Sequence, residues 1–91
     1  MRNMFDLFSD EDTLAIFDTL VSKKRADLRT IRESLTMPEE KATGAVERLV
    51  NAGLVEKVDA PLPDFNMYFL SAKGLAASRQ LNVGRRLSKA F

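Results

Sequence analysis

The chain has 91 residues, a net charge of +1 and neither cysteine nor histidine. That length allows one domain with one core, which buries roughly 60–65% of the surface exposed by the unfolded chain. The missing residue types exclude a disulfide framework, a thiolate metal site, the commonest zinc ligand and the usual general base.

The small net charge conceals an uneven distribution. Residues 1–21 carry Arg2 against Asp6, Asp10, Glu11, Asp12 and Asp18. Residues 22–36 carry Lys23, Lys24, Arg25, Arg29 and Arg32 against only Asp27 and Glu33. The segment from Ser71 onward holds Lys73, Arg79, Arg85, Arg86 and Lys89 and no acid. Two concentrations of positive charge in a near-neutral chain point to an anionic partner. No apolar run approaches the roughly 20 residues that span a membrane, and Met1–Asp6 lacks the apolar stretch of a signal peptide, so the expectation is a cytoplasmic protein without membrane contact.

In chain order, Ser9-Asp10-Glu11-Asp12 reads as a helix start, with Ser9 as cap and the acids at the positive end of the helix dipole. Leu14, Phe17, Leu20 and Val21 then recur at helical spacing, with Ile16 at the edge of that face, and the helix ends near Ser22. Ahead of it, Phe5, Leu7 and Phe8 are apolar enough to pack. Asp27 caps a second helix whose buried stripe is Leu28, Ile31 and Leu35, with Arg29, Arg32 and Glu33 facing out. Thr36-Met37-Pro38-Glu39 closes it, and Thr36 with Glu39 fits a capping box for a third helix from about Pro38 to Ala52. Met37 is expected in the core. Ala42, Ala45, Val46, Leu49 and Val50 point inward, and Gly53 stands where a left-handed C-cap is wanted.

Leu54–Val58 and Met67–Leu70 alternate with period two and read as two short strands. Between them, Pro61 and Pro63 forbid regular ladder pairing, and Leu62 and Phe65 are expected to pack back onto the hairpin or to meet another protein. Ser71 caps a fourth helix towards Leu81, with Asn82 and Gly84 as candidate interruptions. Val83, Leu87 and Phe91 form a terminal apolar stripe flanked by Arg85, Arg86 and Lys89. Two helices followed by a β-hairpin is the order of a winged helix-turn-helix, a mostly α fold with a small hairpin (α+β) and here a helical extension. The expected organisation is a single domain over 1–91, with a core of about 9–81 and a basic extension over 82–91.

Leu49 to Val55 carries the glycine-leucine-aliphatic ending of a recognition helix, and Tyr68 to Gly74 the wing exit "tyrosine, x, leucine, threonine, x, x, glycine", with Ser71 for threonine. Over residues 12–80 the chain thereby resembles the MarR and PadR families of regulators. The resemblance implies sequence-specific binding of double-stranded DNA by a small transcriptional regulator, with helix 38–52 in the major groove. Under it, Lys41 and Thr43 are candidates for base or nearby phosphate contacts, Arg48 lies further along the same helix, Lys23, Lys24, Arg29 and Arg32 would touch the backbone, and Lys57 and Lys73 are secondary candidates. It also implies a homodimer built through terminal apolar segments, with control by abundance, a partner or a small molecule at the dimer interface, since the chain ends just past the fourth helix.

The competing expectation is a protein-interaction winged helix without tight DNA binding. Gly44, the acids Glu39 and Glu40, and a wing tip bearing Asp59 and Asp64 favour it. No residue set converges on catalysis, a metal or a cofactor: Asp10, Glu11 and Asp12 are explained by capping, and there is no glycine-rich phosphate loop.

Overall fold

Four helices and a three-stranded antiparallel sheet form the fold in the computed structural model, which describes residues 7–90, with side chains described as far as Leu81. The elements are α1 (Glu11–Lys23), β1 (Arg25–Asp27), α2 (Leu28–Leu35), α3 (Glu39–Asn51), β2 (Val55–Val58), a single 3₁₀ turn (Pro63–Phe65), β3 (Met67–Leu70) and α4 (Ala72–Ala90). The expected α+β class and element order hold, with one strand added. Phe5 and Phe91, and the side chains of Val83, Leu87, Arg85, Arg86 and Lys89, lie outside the described residues.

Helix α1 is capped by Asp10 rather than Ser9. Asp10 has extended backbone angles, and its carboxylate accepts from the Thr13 backbone N–H at 3.1 Å and from the Thr13 hydroxyl. This double acceptance lets Thr13 sit fully buried. The buried face of α1 is Thr13, Ile16, Phe17 and Leu20, so Ile16 is at its centre rather than its edge, while Leu14 is only half-buried. Phe8 packs its ring on Phe17 with centroids 4.8 Å apart, and Leu7 also lies against the core, which places two residues of the apolar segment ahead of α1.

Asp27 caps α2 as expected, accepting from the Thr30 N–H at 2.7 Å. It also ends β1, a strand that sequence patterning misses because three residues are too few to show alternation. β1 pairs with β3 through Arg25↔Phe69, Ala26↔Tyr68 and Asp27↔Met67, and β2 pairs with the other edge of β3 through Val55↔Leu70 to Val58↔Met67. The strand order is β1-β3-β2. Alternation in β2 is lost beyond Val55, because Glu56, Lys57 and Val58 are all exposed as the hairpin leaves the core.

The predicted Thr36–Glu39 capping box does not form. Thr36 adopts a left-handed conformation (φ 51°) that terminates α2, and Pro38 occupies the N-cap of α3 without a side-chain cap hydrogen bond. Thr36 is taken up in closing the preceding helix, so its hydroxyl is not placed for the next one. Met37 is half-buried against the core. At the far end of α3, Gly53 takes φ 79°, and its N–H and that of Leu54 donate to Val50 and Leu49 carbonyls, the left-handed closure its position predicts.

Ala42, Ala45, Val46 and Leu49 of α3 are completely buried against Ile16, Phe17, Leu20 and Ile31. Two alanines on that face let the helices approach closely. Each large side chain removed from water contributes about 1.5–3 kcal/mol. Ser71 caps α4 by accepting from the Gly74 N–H at 3.0 Å. The helix runs without interruption past Asn82 and Gly84 to Ala90, since neither residue breaks a helix whose backbone hydrogen bonds are otherwise continuous.

Candidate nucleic-acid interface

Helix α3 turns one face wholly inward and offers the other. Glu40, Lys41, Glu47 and Arg48 are exposed, while Thr43 and Gly44 are half-buried on the shoulder. The helix is fixed at its start by the turn from α2 and at its end by Gly53, and Lys73 Nζ donates to the Ala52 carbonyl at 3.1 Å across the last turn. A helix so held presents a rigid polar surface, which reading base edges in a groove requires.

Most of the candidate cations already have partners. Arg29 Nε donates to Glu33 Oε1 at 2.8 Å on the exposed side of α2, and this contact raises the guanidinium's already high pKa. Arg32 does not simply face out: its Nη1 lies 3.1 Å from Asp64 Oδ1 and its Nε is buried with no partner. Arg48 donates from Nη2 to Asp10 at 2.8 Å and from Nε to the Thr13 hydroxyl at 3.2 Å. Lys57 pairs with Asp59 at 3.3 Å, which raises its pKa. Lys73 is engaged with the end of α3. The structure thus gives Arg48 and Lys73 fastening contacts that their positions in sequence do not suggest.

Three candidate cations, Lys23, Lys24 and Lys41, are exposed and form neither an ion pair nor a side-chain hydrogen bond among the described residues. Lys24 takes a left-handed conformation (φ 73°) at the end of α1, which turns the chain directly into β1. Arg25 follows it, exposed on that edge strand. Arg25 thereby continues the Lys23-Lys24 run and is a cation the sequence-derived site leaves out.

The loop between β2 and β3 does not project as a free wing. Its 3₁₀ turn closes through Phe65 N–H to Leu62 and Asn66 N–H to Pro63, both at 3.0 Å, and Asn66 Oδ1 accepts from Ala60 N–H at 2.8 Å. The Asn66 carbonyl then accepts from Leu28 N–H at 3.1 Å, fastening the loop to the first residue of α2. Leu62 and Phe65 remain 60% and 46% exposed, so the loop packs back on α2 without covering its own apolar tips. An open cavity of about 490 Å³ lies between this loop and the turn ahead of α3, lined by residues that include Arg29, Arg32, Met37, Pro38 and Asp64. Asp64 and Asp10 are the partners that sequence reasoning missed, at separations of 32 and 38 residues from the arginines they hold. Only the excess of acids in the loop and at the cap hinted at them.

Among the described residues no group of carboxylates could hold a metal ion, and no helix is long and apolar enough to cross a membrane.

Residues 8–80 match the family described as "Sugar-specific transcriptional regulator TrmB". A search of curated proteins finds no match. Among solved structures, the PcaV transcriptional regulator of Streptomyces coelicolor, determined in complex with its natural ligand, is 27% identical over 90% of this chain and 60% of its own, with a TM-score of 0.73. The reduced form of the transcriptional regulator YodB of B. subtilis is 19% identical, covers 100% of this chain and 95% of its own, and gives a TM-score of 0.81. A mutant MarR of E. coli complexed with operator DNA is 18% identical over 77% of this chain and 51% of its own, with a TM-score of 0.68. The chain therefore spans 60% of the length of PcaV and about half that of MarR.

Proposed function

Starting from the chain's membership of the TrmB family of transcriptional regulators, we propose that it binds double-stranded DNA sequence-specifically through α3 in the major groove, as a regulator rather than an enzyme. The observation that carries this reading is the family match over residues 8–80 together with the build of α3: four fully buried apolar residues on one face and Lys41, Thr43 and Arg48 on or beside the other. Phosphate contacts set the register and base edges give the sequence. Among the candidate cations, Lys23, Lys24 and Lys41 are available without giving up a present partner, and Thr43 is the candidate for a base edge. Arg29, Arg32, Arg48, Lys57 and Lys73 join only by giving up or sharing a present partner.

A homodimer is part of the proposal. Two copies related by a two-fold axis place two α3 helices about one DNA turn, ~34 Å, apart. A cytoplasmic location is part of the same reading. The second reading, a winged helix that meets another protein, draws on the exposed apolar residues Val58, Leu62 and Phe65 on the hairpin and its loop.

Fluorescence anisotropy on mixed-sequence duplex DNA at several salt concentrations separates the two. The DNA reading expects binding that weakens steeply with salt as counterions are displaced. No binding at low salt would leave the protein-interaction reading standing alone.

A further inference from the structure

Arg32 of α2 is held across 32 residues by Asp64, an acid in the loop between β2 and β3. We infer that Asp64 limits affinity: by holding Arg32 it withholds one cation from the phosphate backbone and so lowers affinity for DNA of any sequence. This rests on the DNA-binding reading of α3.

Three observations support it. First, Asp64 is placed by backbone rather than by chance rotamers. It sits in the middle of the Pro63–Phe65 turn, which is closed by its own hydrogen bonds and fastened to α2 through Asn66 and Leu28. The acid is therefore presented to Arg32 before any ligand arrives. Second, the pair is end-on. Arg32 donates from Nη1 to a single oxygen at 3.1 Å, and its Nε is buried with no partner. A guanidinium satisfied at one corner is held less firmly than one in a two-point fork, and a phosphate offers that fork. Third, both groups reach solvent, with side chains 31% and 44% exposed, so once Asp64 loses its charge Arg32 turns to a phosphate without core rearrangement.

The physical consequence follows from how the two parts of DNA binding scale. Sequence-independent affinity is electrostatic and grows with each phosphate neutralised, whereas discrimination comes from base edges. Neutralising Arg32 within the protein trims the first and leaves the second to α3. With Asp64 in place Arg32 stays paired and one phosphate goes unneutralised, a loss that every sequence bears alike.

The test is anisotropy on a mixed-sequence duplex across a salt series, for the unmodified chain, Asp64→Asn, Arg32→Gln and the double variant. Glu56→Gln serves as a charge-matched control, since Glu56 is exposed on β2 and forms no ion pair among the described residues. Circular dichroism melts check that each variant folds, which the loop's backbone hydrogen bonds secure. Asp64→Asn is expected to tighten binding more than Glu56→Gln and to steepen the log–log salt slope by about 0.9, a further ~3-fold loss between about 50 and about 200 mM salt. Adding Arg32→Gln should erase that extra gain. Equal gains from Asp64→Asn and Glu56→Gln, or a gain that survives Arg32→Gln, overturn the role of Asp64 while leaving DNA binding intact. Absence of binding by both the unmodified chain and Asp64→Asn at low salt overturns the DNA reading itself.

Discussion

Arg48 Nη2 lies 2.8 Å from Asp10 Oδ2, so a residue of α3 is fastened to the residue that caps α1. The same carboxylate accepts from Thr13, and Arg48 Nε also reaches the Thr13 hydroxyl. One small cluster thus fixes the start of α1 and its angle to α3. Asp10→Ala should destabilise the fold by about 1–2 kcal/mol, the usual loss for an N-cap. Arg48→Gln, whose partner pair is nearly half exposed, should cost only about 0.5 kcal/mol. Urea denaturation measures both. A larger loss for Arg48→Gln than for Asp10→Ala would show that the arginine, not the cap, organises the cluster.

Acid should loosen the fold through the same residue. Hydrogen bonds from Thr13, assisted by Arg48, hold the Asp10 carboxyl below its ordinary value of 3.8, and bonds from Thr30 do the same for Asp27. A carboxyl depressed on folding contributes stability that is fully present above the unfolded value and is lost as pH falls through the folded one. Urea midpoints should therefore hold above about pH 5 and fall below about pH 4. In Asp10→Asn and Asp27→Asn that acid limb should be shallower. Parallel limbs in all three proteins would remove these two caps as the cause.

Gly74 is required by a close approach of α4 to Leu54, the residue ahead of β2. A Cβ built there would stand 2.0 Å from the Leu54 carbonyl oxygen, a backbone atom that also accepts from Ser71 N–H. Alanine ordinarily favours a helix over glycine by about 1 kcal/mol, yet here Gly74→Ala should destabilise by at least ~2 kcal/mol, because the first turn of α4 must move. A thermal melt at or above that of the unmodified chain would contradict this packing.

Gly44 makes the opposite case. A Cβ there meets only the Arg48 guanidinium, at 3.6 Å, an ordinary contact. Gly44→Ala should raise stability by about 0.5–1 kcal/mol. If DNA approaches α3 at this shoulder, the same variant should bind a specific site more weakly while melting higher. Stabilisation with unchanged binding would place the DNA elsewhere along the helix.

Lys23→Gln with Lys24→Gln should flatten the salt dependence of DNA binding by up to about two phosphate contacts and affect all sequences alike. Thr43→Ala should instead narrow the difference between specific and mixed-sequence DNA, with the salt slope unchanged. A Thr43→Ala variant that loses affinity uniformly would move that residue from base reading to backbone contact.

Much of this fold is legible in the sequence because helices and caps are local. The inward residues of α3 follow from spacing alone, as do Asp27 as a cap, Gly53 as a left-handed closure and Ser71 as the start of α4. Local rules also mislead where two elements compete for one residue. Thr36 has the right spacing to Glu39 for a capping box, but it is taken up in ending α2 at φ 51°. Ser9 and Asp10 both qualify as caps, and the buried Thr13 decides in favour of the longer-reaching carboxylate.

The candidate surface is where sequence alone falls short. Composition and order determined that cations cluster around the first two helices, that the chain has neither cysteine nor histidine, and that a third helix ends at a glycine before a hairpin. Only the tertiary structure decided which cations are open and which are spoken for: Arg32 meets Asp64 and Arg48 meets Asp10 across 32 and 38 residues. Charge is a property of single residues and is read directly from the chain. Whether that charge is neutralised depends on which distant carboxylate the packing of the core brings within about 3 Å, and no periodicity encodes that distance.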